Sequence, residues 1–99
     1  QGQTSFSTTR PGITRGDHFH FRKVERFLVL SGEAEIAIRR IGSGEVHRFR
    51  VSGDQPTFVD MPTFHTHNIT NVGQGELLTL FWTNDFFDPD NTDTFAEKV

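Results

Sequence analysis

Cysteine is absent from this chain of 99 residues. That excludes disulfides, thiolate metal ligands and a cysteine nucleophile. It also fits a cytoplasmic location, where disulfides are rare. Tyrosine is absent as well, so no phenol is available as a catalytic acid. An excess of positive charge is missing: the formal net charge is −3. A nucleic-acid partner needs a basic face and is not expected. No stretch approaches the ~18 apolar residues of a membrane span, so no membrane partner is expected. No run of roughly five like charges marks an interaction tail. No G-x-G-x-x-G follows a strand, so a dinucleotide fold is not expected in this chain. A helical hydrophobic period persists nowhere.

What remains is a pattern of strands and turns. Glu33 to Arg39 alternates polar and apolar residues, as a half-buried strand does. Gly42-Ser43-Gly44 reads as a turn and Glu45 to Val51 as the returning strand. Further strands are expected at Phe6–Thr9, Arg15–Phe21, Arg26–Leu30, Thr57–Asp60, 67–72 and 77–83. Turns recur every 8 to 12 residues or so, the spacing of an all-β sandwich or barrel. Phenylalanine, at 11 residues, must supply much of the core. The tail from Asp85 to Val99 has no clear period and is expected to wrap the barrel or start a short helix. The whole chain reads as one small domain, residues 1–99, whose marginal core would gain from a metal ion or a partner. Its start, Gln1 to Ser5, has neither signal-peptide nor initiation features, which suggests a domain of a longer protein.

Four of the five histidines form two tight pairs, His18/His20 and His65/His67. Residues at i and i+2 of a strand share a face. His18 and His20 can therefore both look into a barrel, with Phe19 and Phe21 on the other side. Glu25 follows a short bend, and His67 comes from a distant strand. Three imidazoles and a carboxylate suit a borderline divalent ion such as Zn, Ni, Fe, Mn or Cu better than Ca or Mg. His65 is left with four readings: a fifth ligand, a replacement ligand, a free acid–base group beside the metal, or a rim residue hydrogen-bonded to water. His47 shares a strand face with Phe49 and Val51 and is expected to be a partly buried structural residue.

The spacing Gly12-x5-His18-x-His20-x4-Glu25-x6-Gly32 resembles the first cupin motif at every spaced position. Pro62-x-Phe64-x-x-His67-x-x-x-Asn71 resembles the second, with Phe64 where that motif has glycine. Because that glycine eases a turn, the loop here is expected to bend differently. The fold implied is a small all-β cupin-type barrel (a double-stranded β-helix, or jelly roll). The metal ligands implied are His18, His20, Glu25 and His67. Pro11 to His20, Lys23 to Val29 and Thr66 to Asn71 resemble a narrower group, the C-terminal cupin domains of CapF-type capsular polysaccharide enzymes. Arg15-Gly16-x-His18-Phe19 is also similar to the dTDP-sugar 3,5-epimerases of the same fold.

The resemblance implies the C-terminal part of a bifunctional enzyme. A zinc-bearing cupin domain would epimerise C3 of a UDP-linked 2-acetamido-2,6-dideoxy-4-keto-hexose in L-fucosamine-type synthesis. An NADPH-dependent reductase half would lie upstream. A homodimer is expected by analogy, with Ser5–Thr9 as a pairing edge. The candidates for proton transfer are His65, Lys23, Glu33 and Asp60, with His65 and Lys23 placed first. Arg15, Lys23, Asn71 and Trp82 are the candidate substrate contacts, since arginine forks suit phosphate and tryptophan can stack on a ring. Two alternatives use the same four residues. One is a metal-dependent dioxygenase or isomerase acting on a small molecule, with iron, manganese or nickel. The other is a non-catalytic domain that its metal stabilises for binding.

Overall fold

The computed structural model describes residues 2–84 and 88–99. Among them are nine strands and no helix: β1 Gln3–Thr9, β2 Thr14–Phe19, β3 Glu25–Ser31, β4 Glu33–Arg40, β5 Val46–Ser52, β6 Phe58–Met61, β7 His65–Asn71, β8 Leu77–Thr83 and β9 Phe95–Ala96. They form two antiparallel sheets of order β1-β8-β3-β6 and β5-β4-β7-β2-β9. This is the all-β architecture that the turn spacing implied, and the cupin-type barrel that the motif resemblance implied. Part of the tail, residues 85–87, lies outside the described residues. The rest of it forms no helix; it wraps the barrel and ends as β9 on the open edge of β2.

The alternation in the sequence becomes the layering of the fold. Ala34 and Ile36 on β4 and Ile69 on β7 face Phe27 and Val29 on β3, Met61 on β6 and Leu77 on β8, all buried between the sheets. Burying each large side chain contributes about 1.5–3 kcal/mol. Strand β5 is the outer strand of its sheet, and its middle is exposed. His47 therefore stands in solvent with its side chain 68% exposed, 3.0 Å from Glu45, and not partly buried as expected. An edge strand with one neighbour has too little cover to bury it.

Three departures from ordinary backbone shape the site. Register slips between Gly16 and His18 where β2 pairs with β7: Gly16 faces Asn68, but His18 faces His67. Asp17 is the extra residue of this bulge, and its φ is 56°. Phe64 has a φ of 60°. The loop thus bends in the left-handed sense that the motif's glycine would supply, contrary to the expectation of a different bend. Hydrogen bonds hold it there: Phe64 N donates to the His20 carbonyl at 2.8 Å and Ile41 N to the Phe64 carbonyl at 2.9 Å. Asp93, in the tail, has a φ of 54°.

Candidate metal centre

Three segments bring four side chains to one point. Strand β2 and its continuation carry His18 and His20, β3 opens with Glu25, and β7 carries His67. One donor atom from each lies within 4.8 Å of the others. The Nε2 atoms of His20, His67 and His18 are 2.8, 3.2 and 4.0 Å from the same Glu25 Oε1. His20 and His67 are each 1% exposed. Burial, and then the neighbouring His67, push the His18 imidazole down from 6.5 to about 4. Burial works against ionised Glu25, but contacts with His20 and His67 outweigh it and hold the carboxyl well below the usual range.

The ring orientations show what this cluster can hold. His20 Nδ1 lies 2.8 Å from the Asp93 carbonyl oxygen, and His67 Nδ1 lies 3.3 Å from the His65 carbonyl oxygen. A carbonyl only accepts, so each Nδ1 donates, and in a neutral ring Nε2 then carries a lone pair. Those lone pairs point at a carboxylate oxygen. His67 Nε2, moreover, is buried without a hydrogen-bond partner despite its 3.2 Å approach to Glu25. Two imidazole lone pairs, the His18 Nε2 and a carboxylate converging on one point call for a cation between them, a proton or a metal ion. The donor set fits a divalent metal. The two Nδ1–carbonyl contacts are the outer supports that metal-binding histidines commonly have.

A cavity of about 290 Å³ opens from this cluster, and its lining includes Arg15, His18, Glu25, His67, Phe27 and Ser7. The bulge explains why Arg15 and His18 both reach it. In a regular strand, residues three apart face opposite sides. The extra residue at Asp17 resets the alternation, so both look inward, opposite Ile69 and His67 respectively. Gly16 makes this possible: its φ is +109°, and a Cβ there would sit 2.7 Å from the His67 carbonyl oxygen. The glycine was visible in the sequence, whereas the bulge was not.

Other expected site residues fall elsewhere. His65 shares the face of β7 with His67 but lies on the side away from Ile69 and outside the cavity lining. Its Nδ1 donates to the Thr63 carbonyl at 2.9 Å. Lys23 sits in the bend between His20 and Glu25, near enough to His18 to oppose its protonation. Asn71 was expected at the substrate, and the structure gives it another task. Its Nδ2 donates to the carbonyls of Thr9 and Gly75 at 2.8 and 2.9 Å, and its Oδ1 accepts from Gly73 N at 2.9 Å. Trp82 lies outside the cavity, beside a separate groove with Pro62 and Arg26. Asp60 is exposed and paired with Arg26 at 2.7 Å, and Glu33 is exposed far from the cluster. Asp93 was missed altogether. Nothing in its local sequence ties it to histidines some seventy residues earlier.

Known proteins share this architecture. The chain is 41% identical over 98 residues to the UDP-2-acetamido-2,6-beta-L-arabino-hexul-4-ose reductase of Pseudomonas aeruginosa, an alignment covering 99% of this chain and 26% of that protein. The crystal structure of the capsular polysaccharide assembling protein CapF from Staphylococcus aureus superposes with a TM-score of 0.98 and 42% identity, over 100% of this chain and 29% of that one. This chain thus spans little more than a quarter of these relatives. A dTDP-4-dehydrorhamnose 3,5-epimerase from Elizabethkingia anophelis shares the fold, with a TM-score of 0.78 at 13% identity over 95% of this chain and 54% of that one. The family model for the polysaccharide biosynthesis C-terminal domain matches residues 1–95, and this chain belongs to that family.

Proposed function

We propose that this domain holds one divalent metal ion, zinc first, with nickel, manganese or iron as the other candidates, on His18, His20, Glu25 and His67. With it, the domain epimerises C3 of a UDP-linked 2-acetamido-2,6-dideoxy-4-keto-hexose. The setting is cytoplasmic synthesis of an L-fucosamine-type precursor for capsule or O-antigen polysaccharide, beside an NADPH-dependent reductase half. The observation that carries this reading is the convergence of the four ligand atoms at the wall of a cavity that also admits Arg15. The sequence relationship to a reductase of a UDP-linked 4-ketohexose supports it.

The chemistry needs two things. The C3–H bond beside the ketone must break, with its electrons moving onto the C4 oxygen as an enolate. A proton must then return to C3 from the opposite face. A bound divalent ion supplies positive charge that stabilises such an enolate. Arg15, on the rim, offers a planar donor fork for the diphosphate or the carbonyl. Phe27 and Ile69 keep the floor of the cavity apolar, which strengthens each polar contact made there. Ring nitrogens engaged as ligands are not free to accept a proton, so the transfer is assigned to His65, two residues from His67 on β7, or to Lys23, in the bend between His20 and Glu25, although neither lines the cavity. A homodimer is part of this reading: β1 is an edge strand paired only with β8 among the described residues, and such edges are commonly covered by a partner.

The test is solvent deuterium incorporation at C3 of the UDP-linked 4-keto sugar, with metal-loaded and chelator-treated protein and with the reductase half supplied. Label is expected only with the metal-loaded form. A sharp loss in one of His65→Ala or Lys23→Ala would identify the base. Absence of exchange by a folded, metal-loaded protein overturns the epimerase reading. Oxygen consumption in its place would point to a dioxygenase.

A further inference from the structure

The bend between His20 and Glu25 carries no regular structure, yet it must set the distance between two of the four converging donors. What holds it comes from the far end of the chain. The Asp93 carboxylate accepts from three successive backbone N–H groups of that bend: Phe21 to Oδ1 at 3.0 Å, Arg22 to Oδ2 at 2.9 Å and Lys23 to Oδ2 at 2.9 Å. A run of N–H groups around one anion is a strong local electrostatic anchor. The carbonyl of the same residue accepts from His20 Nδ1 at 2.8 Å. One residue therefore orients a ligand ring with its main chain and the following bend with its side chain. It is only 4% exposed.

The tail around Asp93 is tied down on the same side of the barrel. Arg22 reaches the Asn91 side chain and carbonyl at 3.2 and 3.0 Å. Glu97 N donates to the Asp17 carbonyl at 2.9 Å, and Val99 N to Asp17 Oδ1 at 3.1 Å. Asp17 is the bulge residue that turns His18 inward. Arg39 holds Glu97 and the Lys98 carbonyl at 2.9 and 2.8 Å. The tail thus grips β2 both at the bulge and at its end.

We propose that Asp93 is a positioning residue for the metal centre, and that residues 91–99 act as a clamp whose docking and whose metal binding reinforce each other. This rests on the metal-centre reading above. The Nδ1–carbonyl contact selects the tautomer that aims His20 Nε2 at the site, and the three amide contacts fix where Glu25 begins. Outer supports of this kind are commonly worth 10- to 100-fold in metal affinity. Coupling between the tail and the site must also be reciprocal, so metal must stabilise the docked tail.

The experiment compares the wild type with Asp93→Ala and Asp93→Asn. The asparagine variant tolerates the left-handed backbone and keeps one acceptor oxygen. Zn²⁺ and Co²⁺ affinities are measured by competition with a chromophoric chelator, the Co²⁺ spectrum reports coordination geometry, and amide exchange in residues 91–99 is followed with and without Zn²⁺. The expected result is a 10- to 100-fold affinity loss for Asp93→Ala, a smaller loss for Asp93→Asn, and metal-dependent protection of the tail in the wild type alone. If Asp93→Ala does not fold, the asparagine variant decides. Folded variants with wild-type affinity and spectrum would overturn the proposal, even if less thermostable, because they would leave Asp93 a purely structural role. A wild type that binds neither ion would instead remove the metal-centre reading, and this inference with it.

Discussion

Single residues decide where the chemistry can sit. Gly16 is the clearest case, because two independent constraints meet there. Its backbone lies in a region that favours glycine, and its open side faces the His67 carbonyl. Gly16→Ala must strain the backbone, at about 1–3 kcal/mol, and also push β2 away from β7. We expect a loss of more than about 2 kcal/mol in urea unfolding, accompanied by weaker metal binding because His18 moves. An alanine variant of unchanged stability would mean that the bulge is not rigid. Phe64 shows the same physics handled otherwise. The left-handed turn is kept without glycine, held by its two backbone hydrogen bonds and by an edge-on contact with Phe21 at 5.1 Å between ring centres.

Among the elements, β7 does two jobs along one face. Its first half brings His67 to the cluster, and its last residue, Asn71, closes the fold. The Asn71 amide bonds the end of β1 to the turn at 71–75 through three buried or half-buried contacts. Removing it leaves two carbonyls and an N–H without partners, at about 1–3 kcal/mol each for a fully buried group. Asn71→Ala is therefore expected to cost about 2–4 kcal/mol in thermal or urea unfolding while metal affinity stays at the wild-type value. A variant of normal stability whose KM for the sugar nucleotide rises would instead return Asn71 to the substrate. The exposed Arg26–Asp60 pair joining β3 to β6 is a different matter. Such surface pairs contribute at most about 1 kcal/mol.

Over the whole molecule, the buried histidine cluster makes the metal-free fold sensitive to acid. In the unfolded chain His18 takes up a proton near its ordinary 6.5, whereas in the fold it does so only near 4. Between those values the unfolded state binds more protons, so stability falls as pH drops through that window. Glu25 adds to the loss at lower pH. Its folded carboxyl is held below the ordinary 4.5, so the unfolded state is again protonated first. With its partial exposure taken into account, His18 accounts for on the order of 2 kcal/mol between pH 7 and pH 4. Urea midpoints of chelator-treated protein across that range should decline steadily, and a flat profile would contradict a half-buried, neutral His18. The domain is small and its core modest, so a loss of this size is a substantial part of its total stability.

By itself, the sequence determined the architecture and the local half of the cluster. Strand alternation and turn spacing are short-range properties, and they specified an all-β barrel without reference to any contact. The i, i+2 spacing of His18 and His20 likewise carries its geometry with it, because a strand's pleat alone sets a shared face. Tertiary structure decided the rest. Whether Arg15 joins His18 in the cavity depends on one extra residue in a β2–β7 ladder, and that register is a property of two strands together. His65 and His67 share a face of one strand, yet only His67 lies where two other ligand-bearing segments meet it. Asp93 acquires its place solely because the tail folds back over the bend at 21–23. Spacing along a chain fixes direction over a few residues, whereas the meeting of distant segments is set by how the whole barrel packs.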